Sequence, residues 1–228
     1  MRERNFIMIT QKMLDTVEKL QIASRNISKV WDGRSSIIEM RNAGSKQWRQ
    51  MEWMGFYFEF LCEKHFDGII DIPGKKYGNT EFDAFQAISW DFKTHAANTT
   101  NHNVITNDAE AVANTIDDYG HYGIILAIGE VEYNDEERTF KRWHYELKEG
   151  ISQYEVNRIN RGAMSRRRKT EFALSEIHFI CLNNETLSQC SGSFQEGFRN
   201  ADGSPRRTKV MINIRKIPDA ALIDTEEF

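Results

Sequence analysis

Residues 81–95 read EFDAFQAISWDFKTH, and this stretch decides how the rest of the chain is assembled. It reads as two consecutive β segments, at about 81–87 and 89–95. From Ser89 onward the side chains alternate, with Trp90, Phe92 and Thr94 on one face and Asp91, Lys93 and His95 on the other. Two carboxylates, Asp83 and Asp91, and the ammonium of Lys93 would therefore project together from a sheet. Carboxylates suit Mg²⁺, which is held by one or two of them plus waters and substrate phosphate oxygens. A lysine beside such a site can orient or deprotonate the attacking water and neutralise charge on a phosphate. Taken alone, Asp91-Phe92-Lys93 also reads as an ordinary strand with solvated charges.

Residues 47–65, QWRQMEWMGFYFEFLCEKH, contain no proline and read as one helix. Trp53, Met54, Phe56, Tyr57, Phe58, Phe60, Leu61 and Cys62 make it apolar nearly all round, which predicts burial. Glu59 sits inside this stretch, with Glu52 seven residues earlier on much the same face. A buried carboxylate is costly unless it is paired or meets a metal. A glutamate that reaches solvent at the helix edge is the plainer reading.

The order helix glutamate, strand, Asp83, then Asp91-Phe92-Lys93 resembles the PD-(D/E)-x-K nuclease superfamily, and the type II restriction endonucleases in particular. The resemblance covers the core motif and its flanks, roughly residues 47–130. It implies that Asp83 and Asp91 hold the metal, that Lys93 acts at the nucleophilic water, and that Glu59 completes the site. Glu81 and Glu52 are reserve ligands. Phe82 stands where the family often has proline. The implied fold is α/β, a central mixed β-sheet flanked by helices, restriction-endonuclease-like.

Composition is compatible with one domain over residues 1–228, with a catalytic core at about 47–131. Among the 228 residues are only three prolines, and no Pro/Gly-rich linker divides the chain. No run approaches bilayer length, and Met1 to Asn5 leads into no signal-peptide core, so no membrane partner is expected. Three scattered cysteines with no CxxC pair point to a reduced, cytoplasmic protein.

The formal charge of −4 argues at first against a polyanionic partner. The distribution argues the other way. Residues 158–169, RINRGAMSRRRK, carry six basic side chains and no acid, and residues 199–216 carry six more against Asp202 alone. Acids concentrate in Glu130 to Glu137 and in Asp219 to Phe228. Phosphate binding depends on the local field, so Arg161, Arg166, Arg167, Arg168, Lys169, Arg206 and Arg207 are candidate contacts to double-stranded DNA. A charge run is otherwise a solvated face. The candidate DNA-contacting segments are about 96–107, 158–169 and 183–216.

Other elements are expected as follows. A helix spans Thr10 to about Val30, with Met13, Leu14, Val17, Leu20 and Ile22 as its apolar face, broken at Trp31-Asp32-Gly33. Ser35 to Arg41 is ambiguous. A strand covers Gly68 to Ile72, followed by a turn over residues 73–79. Ala96 to Asn107 is a polar Asn/Thr segment, either a DNA-contacting loop or plain surface. Asp108 caps a helix to Tyr119. Residues 123–131, GIILAIGEV, form a central strand buried on both faces. Two more strands lie at Ile177 to Leu182 and Val210 to Ile217, with a long loop between them. His95, His121 and His144 form no cluster and read as surface or hydrogen-bonding residues. Met51 and Met54 read most simply as core or interface. The sharper alternative is an apolar wedge inserted between base steps, with Trp48, Arg49 and Gln50 approaching a groove.

These readings converge on a Mg²⁺-dependent endonuclease of double-stranded DNA. A palindromic target would require two symmetric sites and hence a homodimer. The alternatives are a repair or junction-resolving member of the same superfamily, or a nucleic-acid-binding protein whose acids are structural.

Overall fold

The computed structural model describes residues 9–73, 81–164, 167–194, 196–199 and 203–228. Ile124, Ile125, Leu126 and Ala127 are each 0 % exposed, so the first part of the apolar run at 123–131 is buried on both faces, while Ile128 is half-buried and Glu130 exposed. It forms strand β5 (Tyr122–Glu132), which runs parallel to β3 (Ile88–Ala96) and antiparallel to β6 (Glu171–Leu182). Strand β1 (Val30–Asp32) lies beyond β6, and β2 (Ala84–Gln86) beyond β3. Strand β9 (Leu222–Glu227) pairs with β6 further along its length. The protein is α/β, and this mixed sheet carries helices on both faces.

Ile125, Ala127, Trp90 and Phe92 join one core with α1 (Gln11–Ser24), α2 (Gly33–Asn42) and α3 (Trp53–Phe66). Tyr122, Ile124 and Leu126 join a second core on the other side of β5. That core is closed by α4 (Ala109–Tyr119) and by a small antiparallel sheet, whose strands run β4 (Asn103–Asp108), β8 (Lys209–Asn213), β7 (Ser191–Phe194). The helices α5 (Thr139–Leu147) and α6 (Gln153–Asn160) lie between β5 and β6 in the chain, and α7 (Asn184–Cys190) precedes β7. Among the described residues no helix is long and apolar enough to cross a membrane, and all three cysteines are free and buried.

Several expectations are corrected. The first helix stops at Ser24, and its buried stripe is Met13, Thr16, Val17, Leu20 and Ser24. Leu14 and Ile22 lie off that stripe and are 40 % and 53 % exposed. Trp31-Asp32-Gly33 is no simple break. Val30–Asp32 adds a strand to β6, and Asp32 then caps α2 by accepting from Ser35 N at 2.8 Å. Gly33 is required there, because a Cβ would stand 2.9 Å from the rings of Trp53 and Phe140 and from the Thr170 carbonyl. The buried helix begins at Trp53 and not Gln47, since Lys46–Arg49 form a 3₁₀ turn. The expected strand at Gly68 to Ile72 reduces to single bridges, Asp67 with Ile70 and Asp71 with Phe85. Of the turn at 73–79, only Pro73 is among the described residues.

Two expected loops contain regular structure. Half of the Asn/Thr segment is β4, where Val104 and Thr106 are each 6 % exposed while Ile105 is 42 % exposed. The segment between the last two expected strands holds α7, with Asn183 and Thr186 in a reciprocal cap, and β7. The last of those strands ends at Asn213, and Ile214–Lys216 turn into a 3₁₀ helix. Asp108 precedes α4 but makes no capping hydrogen bond; its carboxylate instead meets Lys209 and Arg207 at 2.9 and 3.1 Å.

Candidate active site

The site begins where a strand runs out. Strands β2 and β3 form a tight hairpin turning at Ala87, whose φ of 62° is the left-handed conformation. Their ladder ends at the pair Ala84 with Trp90. Past that point Phe92 N–H donates to Asp83 Oδ2 at 2.7 Å, so a carboxylate stands where the next strand carbonyl would be. This bond fixes Asp83 beside the motif face of β3. Lys93 Nζ lies 3.7 Å from Asp83 Oδ2 and 3.4 Å from Asp91 Oδ2. The alternation expected from sequence is present: Trp90 and Phe92 enter the helix-covered core, while Asp91 faces Tyr122 and Asn107.

Asp91 is 2 % exposed, and burial on that scale needs hydrogen-bond partners. The Tyr122 hydroxyl donates to Oδ2 at 2.5 Å, and the Asn107 amide reaches Oδ1 at 3.4 Å. Glu59 approaches from α3. With Lys93, Thr94 and His95 of β3 and Asn103–Thr106 of β4, it lines an open pocket of about 340 Å³. Gln47 Nε2 donates to Glu59 Oε2 at 2.8 Å, so the 3₁₀ turn before α3 positions this side chain.

Three carboxylates around one ammonium leave the site short of positive charge. Burial, reinforced by the Asp83 charge, pushes Glu59 up to about 7. Asp83 is raised as well, by burial and by Asp91, with Lys93 opposing. Burial works against a charged Lys93, but Asp91, Asp83 and Glu59 outweigh it and hold the ammonium above its ordinary range. Lys93 therefore stays protonated at neutral pH. In the metal-free site that charge favours stabilisation of a phosphate and orientation of the water.

Among the described residues no three His, Cys, Asp or Glu side chains converge as a ready-made metal cage. Mg²⁺ does not need one, because it retains waters and takes one or two carboxylates. Asp83 and Asp91, both oxygen donors and both within 4 Å of one ammonium, fit that requirement. Their mutual repulsion is what a divalent cation would relieve.

The remaining candidates scatter. Glu52 is 69 % exposed at the start of α3 and pairs with Arg168 and Lys169 at 3.5 Å each, so it does not share the pocket of Glu59. Glu81 is exposed, and its backbone carbonyl accepts from the Asn107 side chain. His95 lies in the pocket, 7 % exposed, with Nε2 lacking a hydrogen-bond partner among the described residues. His144 binds the Trp48 carbonyl at 2.9 Å, and His121 is buried with Nδ1 unpartnered among the described residues. Met54 is 4 % exposed within the core, which excludes it as a wedge without unpacking α3. Met51 packs its thioether on Lys148 Nζ at 3.0 Å.

The basic run is less positive in space than in sequence. Arg158 is held by Glu155 and Arg167 by Glu136 at 2.9 Å, while Arg168 and Lys169 share Glu52. Arg161 has no acid partner among the described residues, and Arg166 lies outside them. Arg207 meets Asp108, and Arg206 is exposed.

Sequence reasoning missed Tyr122, Asn107 and Gln47. Tyr122 and Asn107 reach Asp91 only because β5 runs parallel to β3 and β4 crosses beside it, and no local pattern encodes that register. Gln47 could have been sought as a polar neighbour one helical segment before a buried glutamate. Compared with models of protein families, with curated proteins and with solved structures, the chain matches none.

Proposed function

We propose that the chain is a Mg²⁺-dependent endonuclease that hydrolyses phosphodiester bonds of double-stranded DNA, in the manner of type II restriction enzymes. The observation that carries this reading is the convergence of Asp83, Asp91 and Lys93, whose ammonium lies 3.7 and 3.4 Å from the two carboxylates, at the open edge of β3 facing the Glu59 pocket. Asp83 and Asp91 would hold Mg²⁺, which supplies Lewis-acid polarisation of the scissile phosphate and neutralises its charge. Lys93, fixed as a cation, would stabilise the negative charge that builds on the phosphoryl oxygens. Glu59, poised near neutrality, would accept a proton from the attacking water. Gln47 would orient Glu59, and Tyr122 and Asn107 would orient Asp91. Acting on a palindromic duplex, the chain would work as a homodimer with one such site per protomer.

The bonds from Tyr122 and Asn107 to Asp91 favour a second reading, in which the acids and Lys93 are a structural network in a DNA-binding protein without chemistry. Incubating plasmid DNA with the protein, with and without Mg²⁺, separates the two. Mg²⁺-dependent cleavage that is lost in Asp83→Ala and in Asp91→Ala, with DNA binding retained, is the expected result. Cleavage at discrete positions would mark a restriction enzyme as opposed to a repair or junction-resolving nuclease. Near-normal cleavage by either variant would remove the proposed centre.

A further inference from the structure

Three cations from separate segments meet beside the 3₁₀ turn that positions Glu59. Arg49 Nη2 donates to the Lys148 carbonyl at 3.2 Å, and Lys148 Nζ reaches the Arg49 carbonyl at 3.4 Å, so the two residues latch the turn to the C-terminal end of α5. Arg168 enters from the segment before β6. Its side chain is only 15 % exposed, and its Nε–H is buried with no acceptor among the described residues. A buried guanidinium donor without an acceptor is costly, and it leaves this cation under-compensated where it stands.

The surrounding charge points the same way. Lys148 is pushed down to about 8, by burial first and then by the charges of Arg168 and Arg49. The acids near this cluster do not balance it. Glu155 is bound to Lys141 and Arg158 and offsets the charges on Lys148 only in part. Glu52 stands 3.5 Å from both Arg168 and Lys169, is 69 % exposed, and so offers weak, screened compensation. The Arg168 guanidinium also meets the Tyr145 hydroxyl. Trp48, in the same turn as Arg49, has the Arg41 and Arg49 guanidinium carbons 5.4 and 5.1 Å from its ring.

The cluster is continuous with the catalytic pocket by two routes. Gln47, two residues before Arg49, hydrogen-bonds Glu59. Lys169, next to Arg168, lies close enough to His95 for its charge to help burial hold that imidazole down, and His95 lines the pocket with Lys93. We propose that Arg49, Lys148 and Arg168 form a phosphate-binding subsite, separate from the catalytic centre, for the backbone of the DNA strand engaged at Lys93, with Glu52 as its built-in electrostatic competitor. This inference rests on the nuclease reading for its ligand, but not on catalysis. Three cations that repel one another when the site is empty gain most from an anion that bridges them.

The test is the salt dependence of binding to a random-sequence duplex in chelator, for wild type, Lys148→Met, Arg49→Gln and Glu52→Gln. Lys148→Met keeps an unbranched stem over Tyr145, so its packing survives the loss of charge. Each of the first two variants should weaken binding and lower the slope of log affinity against log salt by about 1. Glu52→Gln should tighten binding, a change of opposite sign that no folding defect would mimic. Unchanged affinity and slope in Lys148→Met and Arg49→Gln overturn the subsite, as does weaker binding by Glu52→Gln or the absence of DNA binding by the wild type. Plasmid cleavage in Mg²⁺, run in parallel, keeps the two proposals apart. Altered slopes without any cleavage sink the nuclease and keep the subsite, whereas cleavage with unaltered slopes does the reverse.

Discussion

Glu59→Gln in the metal-free protein isolates the electrostatic strain of the candidate site. The wild-type carboxyl is raised by burial and by Asp83 from 4.5 to about 7. Its folded-state value lies above its unfolded one, so between these two pH values the unfolded chain gives up the proton first. Stability therefore falls as pH rises from about 4.5 to about 7 and is level above that. At 1.36 kcal/mol per pKa unit the loss is about 3 kcal/mol, an upper figure because water and neighbouring side chains relax around the charge. Glutamine cannot ionise, and its carbonyl still accepts from Gln47. The variant should match wild type near pH 4 and exceed it by up to about 3 kcal/mol near pH 8. Urea unfolding in chelator across that range measures the difference. Adding Mg²⁺ at the alkaline end should narrow the gap, because a cation bound by the neighbouring acids stabilises the ionised glutamate. A stability difference that is constant with pH would refute the assignment of Glu59 as a strained, half-buried acid.

Three other substitutions test the frame of the site. Tyr122→Phe removes the hydroxyl that donates to buried Asp91 and should cost about 1.5–3 kcal/mol in urea unfolding, with Mg²⁺-dependent cleavage slowed. Glu155→Gln breaks a carboxylate that is 2 % exposed and bound to both Lys141 and Arg158, at an expected cost of about 3–5 kcal/mol near neutral pH. Arg158 first, and Lys141 with it, hold Glu155 down at about 2, so its contribution is present above the unfolded value of 4.5 and fades as pH falls towards about 2; a cost independent of pH would count against the ion pairs. Gly33→Ala places a methyl 2.9 Å from two aromatic rings and a backbone carbonyl and should lose about 1–3 kcal/mol of stability, which a melting curve reads directly.

What could be read from the sequence was what a local period carries. Residues 123–127 have no polar face to spare, so they had to lie between two covered layers, and they do. The alternation from Ser89 to His95 separated Trp90 and Phe92 from Asp91 and Lys93 correctly, because one strand in one sheet fixes both faces. What failed depended on partners far along the chain. Val30–Asp32 is too short to announce itself as a strand and exists because residues 171–173 of β6 offer an edge. The Asn/Thr segment hides β4 because its alternation is written mostly in polar residues, and only pairing with β8 makes it a strand. Nothing in residues 47–52 forbids a helix, yet Trp48 and Arg49 are held in a tighter turn by His144 and Lys148, almost a hundred residues away.

The same division separates the basic run from the acidic motif. Six basic residues without an acid between 158 and 169 promise a positive face, but Glu155, one turn earlier in the helix of Arg158, and Glu136 and Glu52 from two other segments pair with four of them. Asp83 and Asp91, by contrast, are the two ends of a nine-residue stretch folded as one tight hairpin, so their spacing in sequence nearly determines their spacing in the fold. Asp83 is held there by backbone geometry: its carboxylate completes the hydrogen bonding of Phe92 where β2 has ended. That arrangement makes Asp83→Asn the informative partner of Asp83→Ala. Asparagine keeps an oxygen for the Phe92 N–H and so preserves the edge of β3, while removing the charge that faces Lys93 and raises Glu59. If Asp83 serves only the strand edge, asparagine should leave every activity intact and alanine should cost the stability of an unmade backbone bond, about 1–3 kcal/mol. If it holds a metal, the two variants should be equally inactive and differ only in stability.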